Sequence, residues 1–359
     1  MGEGQVTPKE LTLRTLRGEK TGAVPAGVHG WGMYKFAFAG VISDHSQDKQ
    51  AWKIHGKELA EIEEKFQETF KPDFMHLAEA FFESKKEIIN DPAHGRLLEA
   101  VRKLESKKAI DEFLDKVYVS ARELGETGKF DHLRILAQKY GDELFIFLET
   151  EGPVHDLLDG DGIMGFERGM SHVLDNPRML WYLLESMYRR QLRYVEAVKA
   201  HGAHGYAHSV SYFSADLVSP DVYRNHLVPI QKSFFKEVER MGLVPIMNFW
   251  GNVGPIAKYV KDTNIRGLLI DESRKDYILD VGQIKRDLGD EVALFGNVSA
   301  EHVLAKGSVE DVRREVISQI KKAGLNGGFL SCCGAPITFG TPPENVKTLI
   351  ETARNYRLA

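Results

Sequence analysis

Eight short apolar segments, nearly all followed by a stretch with helical spacing, set the limits on what this chain can fold into. They lie at 24–28, 71–76, 144–148, 204–208, 243–247, 267–270, 292–295 and 328–331. Strands that alternate with helices make parallel sheets, and eight such units in 359 residues point to a single (β/α)₈ barrel spanning 1–359. A doubly wound open sheet is the second choice. No G-x-G-x-x-G follows the first segment, which argues against dinucleotide binding.

The last unit is the most informative. Phe329 and Leu330 run into Ser331, Cys332 and Cys333, a Gly-Ala-Pro turn follows, and Thr341-Pro-Pro-Glu344 opens a helix. Thr341 is expected at the N-cap, proline at the first helical position, and Glu344 in a capping box. A buried strand thus ends by presenting sulfur. Upstream, helices are expected over 7–22, 47–70, 165–175 and 177–201. The heavily charged stretch 83–140, broken at Asn90-Asp-Pro and Gly125-Glu-Thr-Gly, reads as a solvated helical excursion over one end of the core.

With 43% apolar residues the chain can bury a large core. Its net charge of −5 carries no basic stripe, which removes the reason to expect nucleic acid. No run of eighteen apolar residues suggests a membrane span, and the N-terminus is polar. The two cysteines are adjacent, where a disulfide would be strained, so a reducing cytoplasm is the expected compartment.

In a barrel the C-terminal strand ends converge on one mouth. The first two segments deliver His29, Trp31 and His76. The third gives Glu149 and Thr150, the fourth His208 with Ser211 and Tyr212 beyond it. The fifth gives Asn248, Phe249, Trp250 and Asn252, the sixth Asp271 and Glu272, the seventh Asn297, and the eighth Cys332 and Cys333. Two carboxylates closing an apolar strand are costly to bury unless paired or used. A lone strand-end histidine is more often a structural hydrogen-bonding group, and a buried cysteine a small hydrophobe.

With these residues in view the chain resembles the uroporphyrinogen decarboxylase superfamily over its whole length. Leu13-Arg-Thr-Leu-Arg-Gly-Glu19 followed by Val24-Pro25 looks like that family's opening. Leu217-Val-Ser-Pro-Asp-Val-Tyr223 with Pro229 resembles its central segment, and Cys333-Gly334 with Thr341-Pro-Pro-Glu-Asn-Val346 its closing motif. The resemblance implies the same barrel. Decarboxylases of the family grip porphyrinogen carboxylates with an arginine-rich N-terminal segment. Here Val28-His-Gly-Trp-Gly-Met-Tyr-Lys-Phe-Ala-Phe38 carries aromatics, one lysine and no arginine. Gly296-Asn-Val-Ser299, Ser308-Val-Glu-Asp-Val-Arg313 and Cys333-Gly334 look closer to the cobamide-dependent methyltransferases. Thiol-methylating members of that branch bind zinc through a His-x-Cys pair after strand five, a glutamate after strand six and a cysteine after strand eight. Asn248 and Trp250 stand where the pair would be, and Glu272 and Cys333 remain. An amide is a weak zinc ligand, so zinc is not expected, with Glu272, Cys333 and His208 as the alternative metal set.

The resemblance therefore implies transfer of a methyl group from a methoxylated aromatic compound to Co(I) of a separate corrinoid protein, since no cobalamin-binding Asp-x-His-x-x-Gly segment is present. His208, Tyr212, Asp271 and Glu272 are the candidate proton donors to the leaving oxygen. His29, Trp31, His76, Asn248, Phe249, Trp250, Asn297 and Cys333 are the candidate substrate contacts. The rival readings are a decarboxylase of a non-porphyrin acid, a tetrapyrrole-binding module without chemistry, and a methyltransferase using methanol, methylamine or a thiol. The oligomeric state is open, a homodimer included.

Overall fold

A computed structural model describes residues 6–80, 89 and 91–358. Seven parallel strands follow one another in sequence order: β1 (Phe74–Ala78), β2 (Phe145–Thr150), β3 (Gly205–Val210), β4 (Val244–Phe249), β5 (Gly267–Ile270), β6 (Ala293–Phe295) and β7 (Phe329–Leu330). The sheet curls, and residues 25–27 fill the gap between its two ends. Ser331 N–H donates to the Pro25 carbonyl at 2.9 Å and Gly27 N–H to Ser331 at 3.0 Å, while Asp73 N–H donates to Ala26 at 2.7 Å. The eighth position of the barrel is thus occupied, though the expected strand over 24–28 shrinks to one parallel bridge at Ala26. Pro25 has no N–H to give a ladder, and a Cβ at Gly27 would stand 2.5 Å from the Phe74 ring. Asp73 reinforces this seam: its Oδ2 accepts from Ala26 N–H at 2.9 Å, and its Oδ1 from Arg354 of the last helix at 2.8 Å.

Strands β1 to β4 each run two residues past their expected ends. Glu149, Ser209 and Asn248 therefore stand within strands, where the two-residue alternation decides which face each side chain takes. Inside the barrel, Phe74, Phe147 and Phe295 meet at centroid distances of 5.5 to 6.1 Å and make an aromatic floor.

The helix expected over 47–70 is two pieces, Asp48–Ala51 and Gly56–Phe70. Helices Phe166–Asp175 and Pro177–Ala200 fall where their caps put them. Of the charged excursion, 83–88 and Asn90 lie outside the described residues. The rest forms Gly95–Arg102, Lys107–Val117, Ala121–Glu126 and Asp131–Tyr140. These helices lie beside the barrel: Lys107–Val117 and Ala121–Glu126 pack on Pro177–Ala200, and Asp131–Tyr140 on Gly56–Phe70. Ile110, Phe113, Leu114, Leu133 and Leu136 are fully buried there, so only one face of the excursion is solvated. The closing helix, Pro343–Asn355, has Pro342 at its N-cap without a side-chain cap. Thr341 instead turns its hydroxyl back to the Thr338 carbonyl at 2.8 Å, and the expected capping box is not made.

Candidate active site

A polar layer rests on the aromatic floor, built by inward-facing positions of four strands and the segment after the seam. Glu149 of β2 is fully buried. Its Oε2 accepts from His76 Nε2 of β1 at 2.6 Å, and its Oε1 accepts from Asn248 Nδ2 of β4 at 2.8 Å and from the Ser209 hydroxyl of β3. Gly30 N–H donates to His76 Nδ1 at 3.0 Å, so the ring hydrogen of His76 sits on Nε2 and points at the carboxylate. The His76 ring is stacked 4.4 Å from Phe147. Burial alone would raise the Glu149 carboxyl, but the His76 hydrogen bond and the neighbouring imidazoles and Ser209 bring it down to about 2. A carboxylate held by three donors is a permanent negative charge under the mouth.

His29 completes the layer. Asn248 Nδ2 lies 3.0 Å from its Nε2, and Trp31 N–H 3.3 Å from its Nδ1. A neutral imidazole accepts at one nitrogen only, so these two contacts compete. Burial, helped by His76, pushes this ring down to about 3, and it is neutral. Its backbone N–H donates to Cys333 Sγ at 3.3 Å. Cys333 also accepts from the Cys332 thiol, which holds it below the ordinary thiol value against burial, while Cys332 is pushed well up. Beside this layer Lys35 and Glu63 form a buried ion pair at 2.7 Å.

Above the layer the loops after the strands enclose a cavity of about 290 Å³ lined by Trp31, Glu151, His155, Ser209, Ser211, Tyr212 and Trp250. Trp250 lies 5.3 Å from the His29 ring and joins floor to cavity wall. Tyr212 adopts φ +65°, a left-handed backbone that a bulky residue takes only under constraint. Its hydroxyl donates to Asp159 at 3.1 Å. Two buried polar atoms of the lining, Ser211 Oγ and His155 Nδ1, have no hydrogen-bond partner among the described residues.

Among the twelve candidates from the sequence, Trp31, Tyr212 and Trp250 line the cavity, and His29, His76, Asn248 and Cys333 form or touch the layer beneath. His208 does not join them. It alternates with Ser209 to the outer face of β3, where its ring stacks on Phe235 at 5.0 Å and its Nε2 meets Tyr188 OH at 3.3 Å. Phe249 likewise turns outward, its ring 6.0 Å from Tyr223. Asp271 is occupied in shaping its own loop, accepting from Gly251 N–H, Glu272 N–H, Arg274 and Tyr277 OH at 2.8 to 3.2 Å. Asn297 ties that loop to its neighbour through the Asp271 and Leu279 carbonyls, both at 3.3 Å. Glu272 accepts from Ala300 N–H at 2.7 Å. Gly334 passes so close that a Cβ would lie 2.7 Å from Glu272 N. Glu149 was placed at the mouth by the sequence but given no role, and Glu151, His155 and Ser209 were not singled out as site residues. The signal for the first was present: an acidic residue inside the apolar run Phe145–Thr150 needs a partner.

These donors do not suit zinc. Asn248 offers only an amide oxygen, a weak zinc ligand, Trp250 offers a wall and no lone pair, and His208 lies on the far side of β3 from Glu272 and Cys333. Among the described residues no group of three histidine, cysteine or carboxylate side chains is placed to hold a metal ion.

Comparison with known proteins adds ancestry to this geometry. A family model described as uroporphyrinogen decarboxylase (URO-D) matches residues 106–356. The methylcobamide:CoM methyltransferase MtaA of Methanosarcina barkeri is 27% identical over 225 residues, 62% of this chain and 62% of its own length. MtbA of Methanosarcina mazei, also a methylcobamide:CoM methyltransferase, is 24% identical over 249 residues, covering 68% and 69%. The matched region thus spans less than two thirds of the first of these relatives. A solved methyltransferase from Methanosarcina mazei superposes with a TM-score of 0.72 at 20% identity, over 97% of this chain and 98% of that one, and has the same fold.

Proposed function

The chain belongs to the uroporphyrinogen decarboxylase family, and on that premise we propose that it is a methyltransferase that moves the methyl group of a methoxylated aromatic compound to the reduced corrinoid of a separate protein. The observation that carries this reading is the cavity wall. Trp31, Trp250 and Tyr212 enclose about 290 Å³ with a few convergent polar atoms, a lining suited to a flat aromatic ring with one or two oxygen substituents. Glu149 beneath it repels an acid-rich tetrapyrrole, and among the described residues no arginine lines the cavity, both of which weigh against a porphyrinogen.

The residues divide the work. The tryptophans stack on and desolvate the ring, and His29, held by Asn248, presents a neutral imidazole edge from below. Methyl transfer requires the acceptor to approach the methyl carbon from the side opposite the ether oxygen, so the partner must seat itself over the mouth. Phe166, at the start of the helix Phe166–Asp175, and Leu217 and Ile278, in the loops that follow β3 and β5, are exposed and give that rim apolar contact points. Among the described residues no helix is long and apolar enough to cross a membrane.

A second reading is favoured by the names of the relatives: transfer from a methylcobamide to a thiol. The remaining pair of Glu272 and Cys333 supports it, and the amide and indole in place of two metal ligands oppose it. Anaerobic mixing with a reduced corrinoid protein and methoxybenzoates tests both. A change of the cobalt spectrum with stoichiometric release of the phenol supports aryl demethylation. A spectrum left unchanged by every ether, with about one zinc per purified chain and demethylation of the methylated corrinoid by a thiol, replaces it with the second reading. Loss of CO₂ from a carboxylic acid with no effect on cobalt would give the decarboxylase.

A further inference from the structure

We propose that His155 is the general acid that protonates the departing aryl oxygen, with Ser211 as the donor that positions that oxygen; this rests on the aryl-demethylation reading above. Breaking an aryl methyl ether leaves a phenolate, a poor leaving group unless a proton meets it. The acid must therefore line the cavity, be able to give up a proton there, and be able to recover one.

Tested against those demands, the candidates at the mouth separate. His208 and Asp271 are engaged elsewhere, Glu149 is held as a carboxylate with its oxygens accepting, and His29 is neutral and buried. His155 meets all three. It projects from the short helix Pro153–Leu158 into the lining of the cavity that Trp31 and Trp250 also wall. Its side chain is 23% exposed, so solvent can resupply a proton. Glu151 Oε2 lies 3.7 Å from its Nδ1 and Asp159 Oδ1 3.9 Å from its Nε2, too far to hydrogen-bond, so a carboxylate stands near each ring nitrogen. Tyr212, from the loop after β3, is the titratable group facing it from a second element, with ring centroids 6.1 Å apart. The hydrogen bond from Tyr212 to Asp159 ties the strained tyrosine to the same carboxylate.

The two orphaned polar atoms of the cavity, on His155 and Ser211, are the second and independent observation. Buried donors without partners are rare in folded proteins and call for an occupant. A phenol oxygen between them satisfies both. In the step itself the bond from methyl carbon to ether oxygen breaks and its electron pair stays on the oxygen. The methyl carbon is taken by the reduced corrinoid acceptor, which supplies the pair for the new bond. The imidazolium proton passes to the oxygen, the phenol leaves, and His155 is reprotonated from solvent.

Single-turnover transfer from aryl methyl ethers of graded phenol acidity tests this with the full-length protein and its corrinoid partner. Wild type should depend only weakly on the acidity of the phenol and should slow at alkaline pH as the acid is lost. His155→Gln should slow ethers of weakly acidic phenols about 10²–10⁴-fold and a nitrophenyl ether far less. The variant should also lose the alkaline limb. A merely structural histidine would slow all ethers alike and keep the pH profile. If His155→Gln does not fold, His155→Asn is read in the same series. A variant whose acidity dependence and pH profile match wild type overturns the assignment. A wild type that demethylates no ether fails at the earlier step and overturns the function with it.

Discussion

Replacing Glu149 by glutamine removes one charge and one acceptor from a buried polar cluster of the barrel, and its cost can be worked from the structure. Three donors converge on this carboxylate, from His76, Asn248 and Ser209. The fall of the carboxyl from an ordinary 4.5 to about 2 corresponds to stabilisation on the order of 3 kcal/mol. The sign follows from the depressed value: this stability is present in full above the unfolded value near 4.5 and is lost as pH falls through about 2. Glutamine keeps one carbonyl oxygen but turns an NH₂ toward a donor, leaving at least one buried group unmet at a further ~1–3 kcal/mol. Glu149→Gln is therefore expected to lose about 4–6 kcal/mol at pH 7. Urea titrations followed by far-UV circular dichroism measure it. The gap between variant and wild type should then close by most of its ionic part between pH 4.5 and 2, where wild type itself becomes neutral at this site. A loss below about 1 kcal/mol, or a gap that stays constant through that pH window, would refute the account of a stabilised buried anion.

Other consequences are as direct. His29, His132 and His204 sit at about 3, 4 and 4 because burial disfavours their charged forms. The unfolded chain takes up those protons first, so stability should fall as pH drops from about 6.5 toward 3, and replacing His132 with glutamine should flatten that slope in a thermal-melt series. Lys35→Met leaves Glu63 buried without its cation and should cost about 3–5 kcal/mol; the double variant with Glu63→Leu should recover most of it. Gly334→Ala forces a Cβ onto the Glu272 backbone and should cost about 1–3 kcal/mol, with Glu272 loop amides the first to move in an NMR spectrum. Trp250→Ala should raise the KM for an aryl ether about tenfold or more, as loss of an aromatic wall costs roughly 1–3 kcal/mol; an unchanged KM would remove the ring from that wall.

How much of this was legible in the sequence depended on which side of a strand a residue took. The eight-unit rhythm was plain because apolar runs and caps are local signals, and helices Phe166–Asp175 and Pro177–Ala200 were bounded nearly to the residue. The mouth was harder. Its strands run two residues longer than their apolar cores, and alternation then separates Ser209 from His208 and Asn248 from Phe249. A composition of hydroxyls around His208 suggested the mouth, while register sends that ring to Phe235. Asp271 and Glu272 were rightly seen as too costly to bury idle, yet backbone donors and Arg274 engage the first, and Ala300 N–H meets the second. His155 lies inside a helix six residues long, where nothing local distinguishes it from a surface histidine. Only its place in a cavity lining shared with two tryptophans does.

The seam through residues 25–27 bears on how the protein is made. Ala26 is tied to Asp73, and Asp73 to Arg354, so an early piece of the chain and a late one are fastened by a single carboxylate. Ser331, which pairs with Pro25 and Gly27, is also late. A nascent chain growing from its N-terminus can assemble β1 through β6 in order, each new strand adding to the last. It cannot join the two ends of the sheet until β7 and Ser331 have been synthesised. His29 and Trp31 continue directly from the seam, so until then they have no fixed place, and the cavity they help to wall does not yet exist. Translation thus leaves the chemistry for last: a chain stalled before residue 331 would hold most of a sheet and none of a catalyst.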